Sequence, residues 1–151
     1  MKLGAEALAP LYKRSALFFC NKEEAERILA LPMGTGIPVL LEGLRALGPD
    51  TVVISDGRAG AYAFDGSKKV HVPMYPDSRA PLERTGAGDA FASTVTVALS
   101  LGKHLDEALL WGPINSMAVV QEVGAQAGLL SREALERFLA DAPEDYRLNT
   151  I

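Results

Sequence analysis

The segment Thr85–Asp89 carries the residues best suited to chemistry in this 151-residue chain. Two glycines and an alanine stand between Thr85 and Asp89, directly ahead of a long apolar stretch over 90–101. Small residues let a ligand approach the backbone. Free N–H groups at a helix start attract phosphate, or the charge that develops on a transferring phosphoryl group. An aspartate there would repel phosphate unless it has a role, and accepting a proton from an attacking hydroxyl is the role that fits.

The same segment also has a purely structural interpretation. In it, Thr85 caps the helix, the glycines form a tight turn, and Asp89 complements the positive end of the helix dipole. Spacing alone weights the two interpretations about equally, so the neighbouring segments must decide between them.

The elements that must position this turn alternate between helices and strands. Apolar residues at helical spacing predict a helix over 4–14, and an apolar run over 15–20 predicts a buried strand. Asn21 is the predicted N-cap of the next helix, and helical spacing resumes over 37–47. The β-branched run Thr51–Ser55 predicts a second buried, parallel strand.

The second half of the chain is predicted to be mainly helical. Asp65–Ser67 joins two short apolar runs and predicts an antiparallel edge hairpin, followed by an irregular connection over 73–84. Three helices then follow, over 90–101, over 105–122 with a bend at Gly112-Pro113, and from a capping box at Ser131 onward. Trp111 is expected in the apolar core.

Other motifs stand around the glycine turn in a defined order. Asn21-Lys22-Glu23-Glu24 follows the first strand, Ser55–Gly60 follows the second, and Asn115–Ala118 precedes the turn Gly124-Ala125. With Thr85–Phe91, this order resembles the ribokinase-like (PfkB) family of carbohydrate kinases. The family's patterns are Asn-x-x-Glu, Thr-x-Gly-x-x-Gly and Asp-Thr-x-Gly-Ala-Gly-Asp-x-Phe. They are similar, in that order, to Asn21–Glu24, Ser55–Gly60 and Thr85–Phe91 of this chain. The resemblance implies a three-layer α/β/α Rossmann-like sandwich, with a mostly parallel sheet and an antiparallel edge hairpin.

The resemblance also implies an activity and a set of site residues. The activity is ATP-dependent, Mg²⁺-dependent phosphoryl transfer to a hydroxyl of a sugar, with a nucleoside as the second choice of acceptor. The implied catalytic groups are the base Asp89 and the backbone N–H groups of Gly86, Ala87 and Gly88. The implied phosphate, magnesium and nucleotide contacts are Asn21, Glu24 (Mg²⁺ through water), Ser55, Asp56, Gly57, Gly60, Gly88 and Asn115.

Each supporting motif has a simpler interpretation beside the functional one. Asn21 with Glu24 three residues later is also an ordinary capping box, which alone is the favoured interpretation. Ser55–Gly60 alone is a turn between strands. Asn115 on an apolar helix alone predicts a buried amide hydrogen-bonded to neighbouring backbone.

Glu83-Arg84 departs from the family pattern, which has Asp-Thr ahead of the glycines. Several family members bind a monovalent cation through that acidic position, so the resemblance implies a K⁺ site at Glu83 and Gly124. Glu83 has a longer side chain and Arg84 adds a positive charge beside it, which argues against potassium activation.

The resemblance covers almost the whole chain but only the C-terminal half of the family's fold. Residues 1–151 are therefore expected to form one α/β domain that lacks the N-terminal substrate and lid half. A homo-oligomer or a complementing N-terminal half is the expected partner, because a lone half exposes a sheet edge. The rival interpretation is a non-catalytic nucleotide-binding or assembly module. A dinucleotide site ranks far below both, because the Gly-x-Gly-x-x-Gly spacing is missing.

Composition excludes several other classes of function. The net charge is −4 and the chain has no extended Lys/Arg run, so neither nucleic acid nor an anionic membrane is an expected partner. No stretch is long and apolar enough to span a bilayer, and residues 1–6 lack the apolar core of a signal peptide. The single cysteine, Cys20, lies in an apolar run and fits a reducing compartment, so a cytoplasmic location is expected.

Overall fold

The computed structural model describes residues 5–77 and 79–151. It consists of two compact units: residues up to His71 together with Asn149–Ile151, and Val72–Leu148. Residues 1–4, on which the expectation of no signal peptide partly rests, lie outside the described residues. In the described part of the chain, no helix has the length and apolar character that crossing a membrane requires.

The sheet has five strands in sequential order, β1 to β5. β1 pairs with β2 in parallel, whereas the pairs β2–β3 and β4–β5 are antiparallel. The strands are β1 Leu17–Asn21, β2 Thr51–Ser55, β3 Ala61–Phe64, β4 Lys69–Val72 and β5 Asn149–Thr150. The expected α/β class with an antiparallel edge is confirmed, and β5 adds a two-residue strand that no sequence pattern indicated.

Three helices belong to the first unit: α1 Ala5–Tyr12, α2 Lys22–Ile28 and α3 Ile37–Ala46. Apolar residues of α2 and α3 form a core with the sheet, whose members include Leu40, Leu41, Leu44, Val52 and Ile54. Glu26 is the exception in this interior, since it is only 3% exposed. Its carboxylate accepts the N–H groups of Gly34 (2.7 Å) and Thr35 (3.1 Å), which holds the loop before α3 in place.

The second unit contains α4 Ala87–Ser100, α5 Leu105–Val120 and α6 Arg132–Ala140. α4 and α5 pack closely because Gly112 carries no side chain: a Cβ there would lie 2.6 Å from the Phe91 ring. α5 is a single helix that continues through Pro113. Trp111 is 1% exposed, which confirms its expected place in the core.

Two expected helix starts differ in detail from the structure. α4 begins three residues earlier than the apolar stretch suggested, and its N-cap is Gly86 rather than Thr85. At α6, the Ser131 side chain accepts the Ala134 N–H, but a full capping box is not formed. The N3 residue there is alanine, and only a side chain such as Glu or Gln could return the second bond.

Candidate functional site

The turn before α4 depends on glycine for its shape. Gly86 has a φ of +83°, in the left-handed region that glycine adopts without strain. A Cβ at this position would also lie 2.6 Å from the Ala125 Cβ. The turn at Gly86 is therefore packed directly against the turn that contains Gly124 and Ala125.

The first turn of α4 has no side-chain cap. Gly86 makes no side-chain hydrogen bond, and Thr85 does not serve as the N-cap. Within residues 5–77 and 79–151, the backbone N–H groups of Gly88 and Asp89 have no hydrogen-bond partner. Both residues are exposed. This end of a 14-residue helix therefore offers free donors and the positive end of the dipole, with a carboxylate beside them.

Two residues of α5, Asn115 and Ser116, form hydrogen bonds to α4 and to the loop before α6. The Ser116 hydroxyl donates to the carbonyl of Ala87, the first residue of α4, at 2.7 Å. Asn115 is 5% exposed, donates from Nδ2 to Thr94 Oγ1 at 2.7 Å, and accepts the Leu130 N–H at 2.9 Å. These bonds give Asn115 the structural role of a buried amide, and its nucleotide contact stays a prediction.

Glu83 links the approach to the glycine turn with the Gly124 turn. Its carboxylate accepts the Gly124 N–H at 3.0 Å. Hydrogen bonds from the Thr85 side chain and the Gly124 N–H lower the pKa of Glu83 below its ordinary value, so this carboxylate stays ionised at neutral pH. The structure thus brings together the two residues for which the resemblance implied a monovalent cation, and the K⁺ site itself stays a prediction.

In the first unit, the candidate residues gather where two parallel strands end. Asn21 at the end of β1 is the register partner of Ser55 at the end of β2. Asn21 Oδ1 accepts the Glu24 N–H at 2.8 Å, and Glu24 Oε2 accepts the Asn21 N–H at 2.9 Å. The Asn-x-x-Glu element is therefore a complete capping box at the start of α2, as the structural interpretation predicted.

The loop after β2 is a single 3₁₀ turn over Gly57–Ala59, closed by backbone hydrogen bonds. Gly57 and Gly60 have φ values of +52° and +88°, so both glycines provide left-handed conformations. An ion pair of 3.6 Å joins Asp56 to Lys22, the first residue of α2. Lys22 therefore connects the Asn21 element to this loop, a contact that sequence spacing did not suggest.

The residues present fit a magnesium ion held mainly by phosphates and water. Among the described residues there is no group of three or more His, Cys, Asp and Glu side chains that could hold a metal. Mg²⁺ usually binds through one or two carboxylates together with substrate phosphates and water, so a lone carboxylate is compatible with it. Glu24 is exposed and uses Oε2 in the capping box, which leaves Oε1 for a bound water.

The predicted site residues form two groups, one in each unit. Gly86, Ala87, Gly88 and Asp89 form one turn, in which Ala87 is hydrogen-bonded to Ser116 and Gly86 lies against Ala125, the neighbour of the Gly124 that binds Glu83. Asn21, Glu24, Ser55, Asp56, Gly57 and Gly60 occupy the other unit, at the ends of β1 and β2. Sequence reasoning missed Lys22 and Ser116, whose partners are 34 and 29 residues away and leave no local signal.

Comparisons with known proteins identify relatives of this chain. The chain is 36% identical over 95 residues to the ribokinase of Bacillus subtilis, which covers 63% of this chain and 32% of that protein. It is 29% identical over 97 residues to the nucleoside kinase of Thermoplasma acidophilum, covering 64% of this chain and 31% of that protein. The chain thus spans about a third of the length of these relatives.

A solved structure agrees with the sequence relatives. The Arabidopsis thaliana ribokinase, complexed with ribose and ATP, superposes with a TM-score of 0.80 at 25% identity, covering 87% of this chain and 43% of that chain. The ribokinase-like fold is thereby confirmed. The profile of the pfkB family carbohydrate kinases matches residues 2–132, and the chain therefore belongs to this family.

Proposed function

We propose that this chain is the nucleotide-binding part of a kinase that transfers the γ-phosphoryl group of ATP to a hydroxyl of a small molecule. Asp89 accepts the proton of the attacking hydroxyl. The N–H groups of Gly86, Ala87 and Gly88 stabilise the charge on the transferring group, and for this the Ala87 N–H must leave its long, 3.4 Å bond to the Arg84 carbonyl. Asn21 and Glu24 organise Mg²⁺ and the phosphates, and Ser55, Asp56, Gly57, Gly60 and Asn115 line the nucleotide.

The glycine turn at the start of α4, where free N–H groups lie beside the exposed Asp89 carboxylate, is the observation that carries this proposal. Asn21 caps α2 and Ser131 caps α6, whereas the starts of α3, α4 and α5 have no side-chain cap. What distinguishes α4 is the left-handed glycine at its N-cap, and the N–H groups of Gly88 and Asp89 that follow have no partner in the described chain. Exposed donors beside an exposed carboxylate suit an anionic reactant together with a group that must lose a proton.

A sugar is the proposed acceptor, and a nucleoside is the second candidate. The Bacillus subtilis relative named ribokinase has the higher identity, which supports a sugar, whereas the Thermoplasma acidophilum relative is named a nucleoside kinase. The substrate half of the fold lies outside this chain in our proposal. Phosphorylation assays with ribose, fructose and adenosine on the complete kinase distinguish the two classes of acceptor.

The thermal unfolding midpoint of this chain, with and without excess Mg·ATP, tests nucleotide binding. At about 100 times the Kd, binding adds roughly 2.7 kcal/mol of apparent stability, which for this size corresponds to roughly 5 to 10 °C. Gly88→Asp should abolish the shift, because it places a second carboxylate at the donors that would hold the phosphate. An added Cβ at Gly88 meets nothing within 4 Å, so the variant is expected to fold.

Gly88→Ala is the matched control, since it adds the Cβ without the charge. We expect it to keep most of the ATP-induced shift. Absence of a shift in a cooperatively folded parent chain contradicts nucleotide binding by this chain. An equal shift in the parent and in Gly88→Asp contradicts the assigned phosphate position. A nucleotide shift without phosphoryl transfer in any completed form of the protein would favour the non-catalytic binding module.

A further inference from the structure

The turn Gly57–Ala59 is held by contacts from two other elements of the first unit. One is the ion pair of Asp56 with Lys22 of α2. The other comes from β4, where His71 Nε2 lies 2.7 Å from the carbonyl oxygen of Ala59, the last residue of the turn. A carbonyl oxygen only accepts, so Nε2 carries the hydrogen and donates it. β4 therefore fixes the end of a turn that lies 12 residues away along the chain.

The His71 ring is itself fixed by its neighbours. It lies against the Tyr62 ring, with the centroids 4.7 Å apart and the planes tilted by 31°. Tyr62 belongs to β3 and packs against the apolar core of the first unit. The backbone of His71 is paired with Asn149 of β5, on the other side of β4. Packing and strand pairing thus hold the imidazole in the orientation that its bond to Ala59 requires.

The bonds inside the loop do not tie it to another element. The Ala59 N–H donates to the Asp56 carbonyl at 2.9 Å, and the Gly60 N–H donates to the Gly57 carbonyl at 3.1 Å. A third bond of 2.8 Å runs from the Asp56 N–H to the Gly60 carbonyl. These bonds fix the shape of the turn, whereas the bond from His71 restrains where the turn lies relative to the sheet.

The turn presents its backbone to open space at a residue for which a nucleotide contact is proposed. Gly57 is exposed, and an added Cβ there would meet nothing within 4 Å. A ligand can approach such a backbone closely. A loop that moves must be ordered when the ligand binds, and the cost of that ordering lowers the affinity. A bond that orders the turn beforehand therefore raises the affinity for the ligand.

We propose that His71 is a positioning residue for the nucleotide, because its bond to the Ala59 carbonyl holds the Gly57–Ala59 turn in the conformation that the nucleotide contacts. The proposal rests on the proposed function, in which Gly57 and Gly60 line the nucleotide. It assigns separate roles to the two parts of the side chain: the Nε2–H donor acts on nucleotide affinity, and the ring against Tyr62 acts on stability.

Two variants separate the donor from the ring. His71→Gln keeps a donor, because glutamine Nε2 is as many bonds from Cα as histidine Nε2, but it removes the ring. His71→Phe keeps a ring against Tyr62 and has no donor. In a calorimetric titration of this chain, the affinity for Mg·ATP should fall roughly 2- to 10-fold in His71→Phe, the usual effect of one hydrogen bond, and should stay close to the parent value in His71→Gln.

Hydrogen exchange without nucleotide reads the turn directly. The N–H groups of Ala59 and Gly60 close the turn, so they should exchange faster in His71→Phe than in the parent or in His71→Gln. A residue with a merely structural role in β4 would lower the unfolding midpoint without this dependence on the donor. His104→Phe is the matched control, since His104 is the other histidine of the chain and is exposed at the N-cap of α5. It should change neither the exchange of the turn nor the affinity for Mg·ATP.

Equal affinity of the parent and His71→Phe for Mg·ATP overturns the proposal. An equal loss in His71→Phe and His71→Gln also overturns it, because the ring rather than the donor would then set the affinity. If His71→Phe does not fold, His71→Met replaces it, since methionine has the length of glutamine without a donor, and equal affinities of the Met and Gln variants then overturn the proposal.

The two readouts separate this proposal from the proposed function. A folded parent chain that binds no Mg·ATP contradicts the proposed function, and donor-dependent exchange of the turn would then still support the hold of His71 on Ala59. Binding of Mg·ATP that none of the His71 variants changes retains the proposed function and overturns the role of His71.

Discussion

The starts of α2 and α4 differ in how their backbone donors are satisfied. At α2, a seven-residue helix, Asn21 and Glu24 form a reciprocal capping box. At α4, a 14-residue helix, Gly86 stands at the N-cap and provides no side-chain bond. The α2 cap is expected to stabilise its helix by about 0.5 to 2 kcal/mol, a contribution that α4 does not receive.

The Asn21–Glu24 element and the glycine turn both belong to the family pattern. The difference between the two helix starts gives the first a role in helix stability and leaves the second available for chemistry. The Asn-x-x-Glu element is explained fully by local capping, so any ligand contact must use its remaining atoms, such as Glu24 Oε1. The glycine turn has no such local explanation, since the N–H groups of Gly88 and Asp89 have no partner in the described chain and the Asp89 carboxylate is exposed beside them. Since α3 and α5 also begin without a side-chain cap, the indication of a site is the left-handed Gly86 together with the exposed Asp89 carboxylate.

The largest effect is expected for Asp89→Asn, which removes the proposed base at α4. In the complete kinase, kcat should fall by roughly 10² to 10⁴, the usual contribution of general base catalysis, while the affinity for ATP stays nearly unchanged. Asp106→Asn is the matched control, because Asp106 also lies in the first turn of its helix. Similar kcat values for the two variants would contradict the assignment of Asp89 as the base. Asp89 would then only complement the dipole of α4.

Gly86→Ala is expected to have the next largest effect, on stability. The left-handed conformation costs an alanine about 1 to 2 kcal/mol, and the contact with Ala125 adds to that cost. Gly102→Ala is the control, because Gly102 has a nearly equal φ of +82° and an added Cβ there meets nothing within 4 Å. Urea unfolding of both variants isolates the Ala125 contact, and equal losses would show that this close approach contributes nothing.

Removal of the α2 cap should have a smaller effect and tests whether Asn21 acts only in stability. Asn21→Ala is expected to cost about 1 kcal/mol and also to weaken Mg·ATP binding. Ser131→Ala removes the cap of α6 and should cost a similar amount without any change in ATP affinity. If the two variants bind Mg·ATP equally well in a calorimetric titration, Asn21 has no role beyond the cap.

The smallest effect is expected for Lys22→Ala. The Lys22–Asp56 pair is 3.6 Å long, and both side chains are about 30% exposed, so it contributes about 0 to 1 kcal/mol that salt screens further. Lys22→Gln should match Lys22→Ala in unfolding free energy at 1 M salt. A large, salt-independent loss on removal of Lys22 would show that this ion pair holds the Gly57–Ala59 turn more firmly than its geometry indicates.

Local patterns were sufficient for most of the secondary structure. The run Thr51–Ser55 became β2 at those bounds, and Asn21 capped α2 as its residue type and spacing predicted. The apolar stretch placed the start of α4 three residues too late, because Ala87, Gly88 and Asp89 carry no apolar periodicity, and the alternative cap Thr85 lies one residue before the observed N-cap Gly86. The close approach that leaves no room for a Cβ at Gly86 comes from Ala125, 39 residues further along the chain.

The sequence by itself determined the α/β class, the order of the elements, and the glycine turn as the place to look for chemistry. Periodicity, capping residues and small residues act over a few positions, and these features depend on nothing more distant. The tertiary structure alone decided that Glu26 holds the loop before α3, that Ser116 fixes Ala87, and that Trp111 Nε1 has no acceptor among the described residues. Each depends on groups brought together by packing, and a buried polar group is satisfied or left unpaired only by what the fold places beside it.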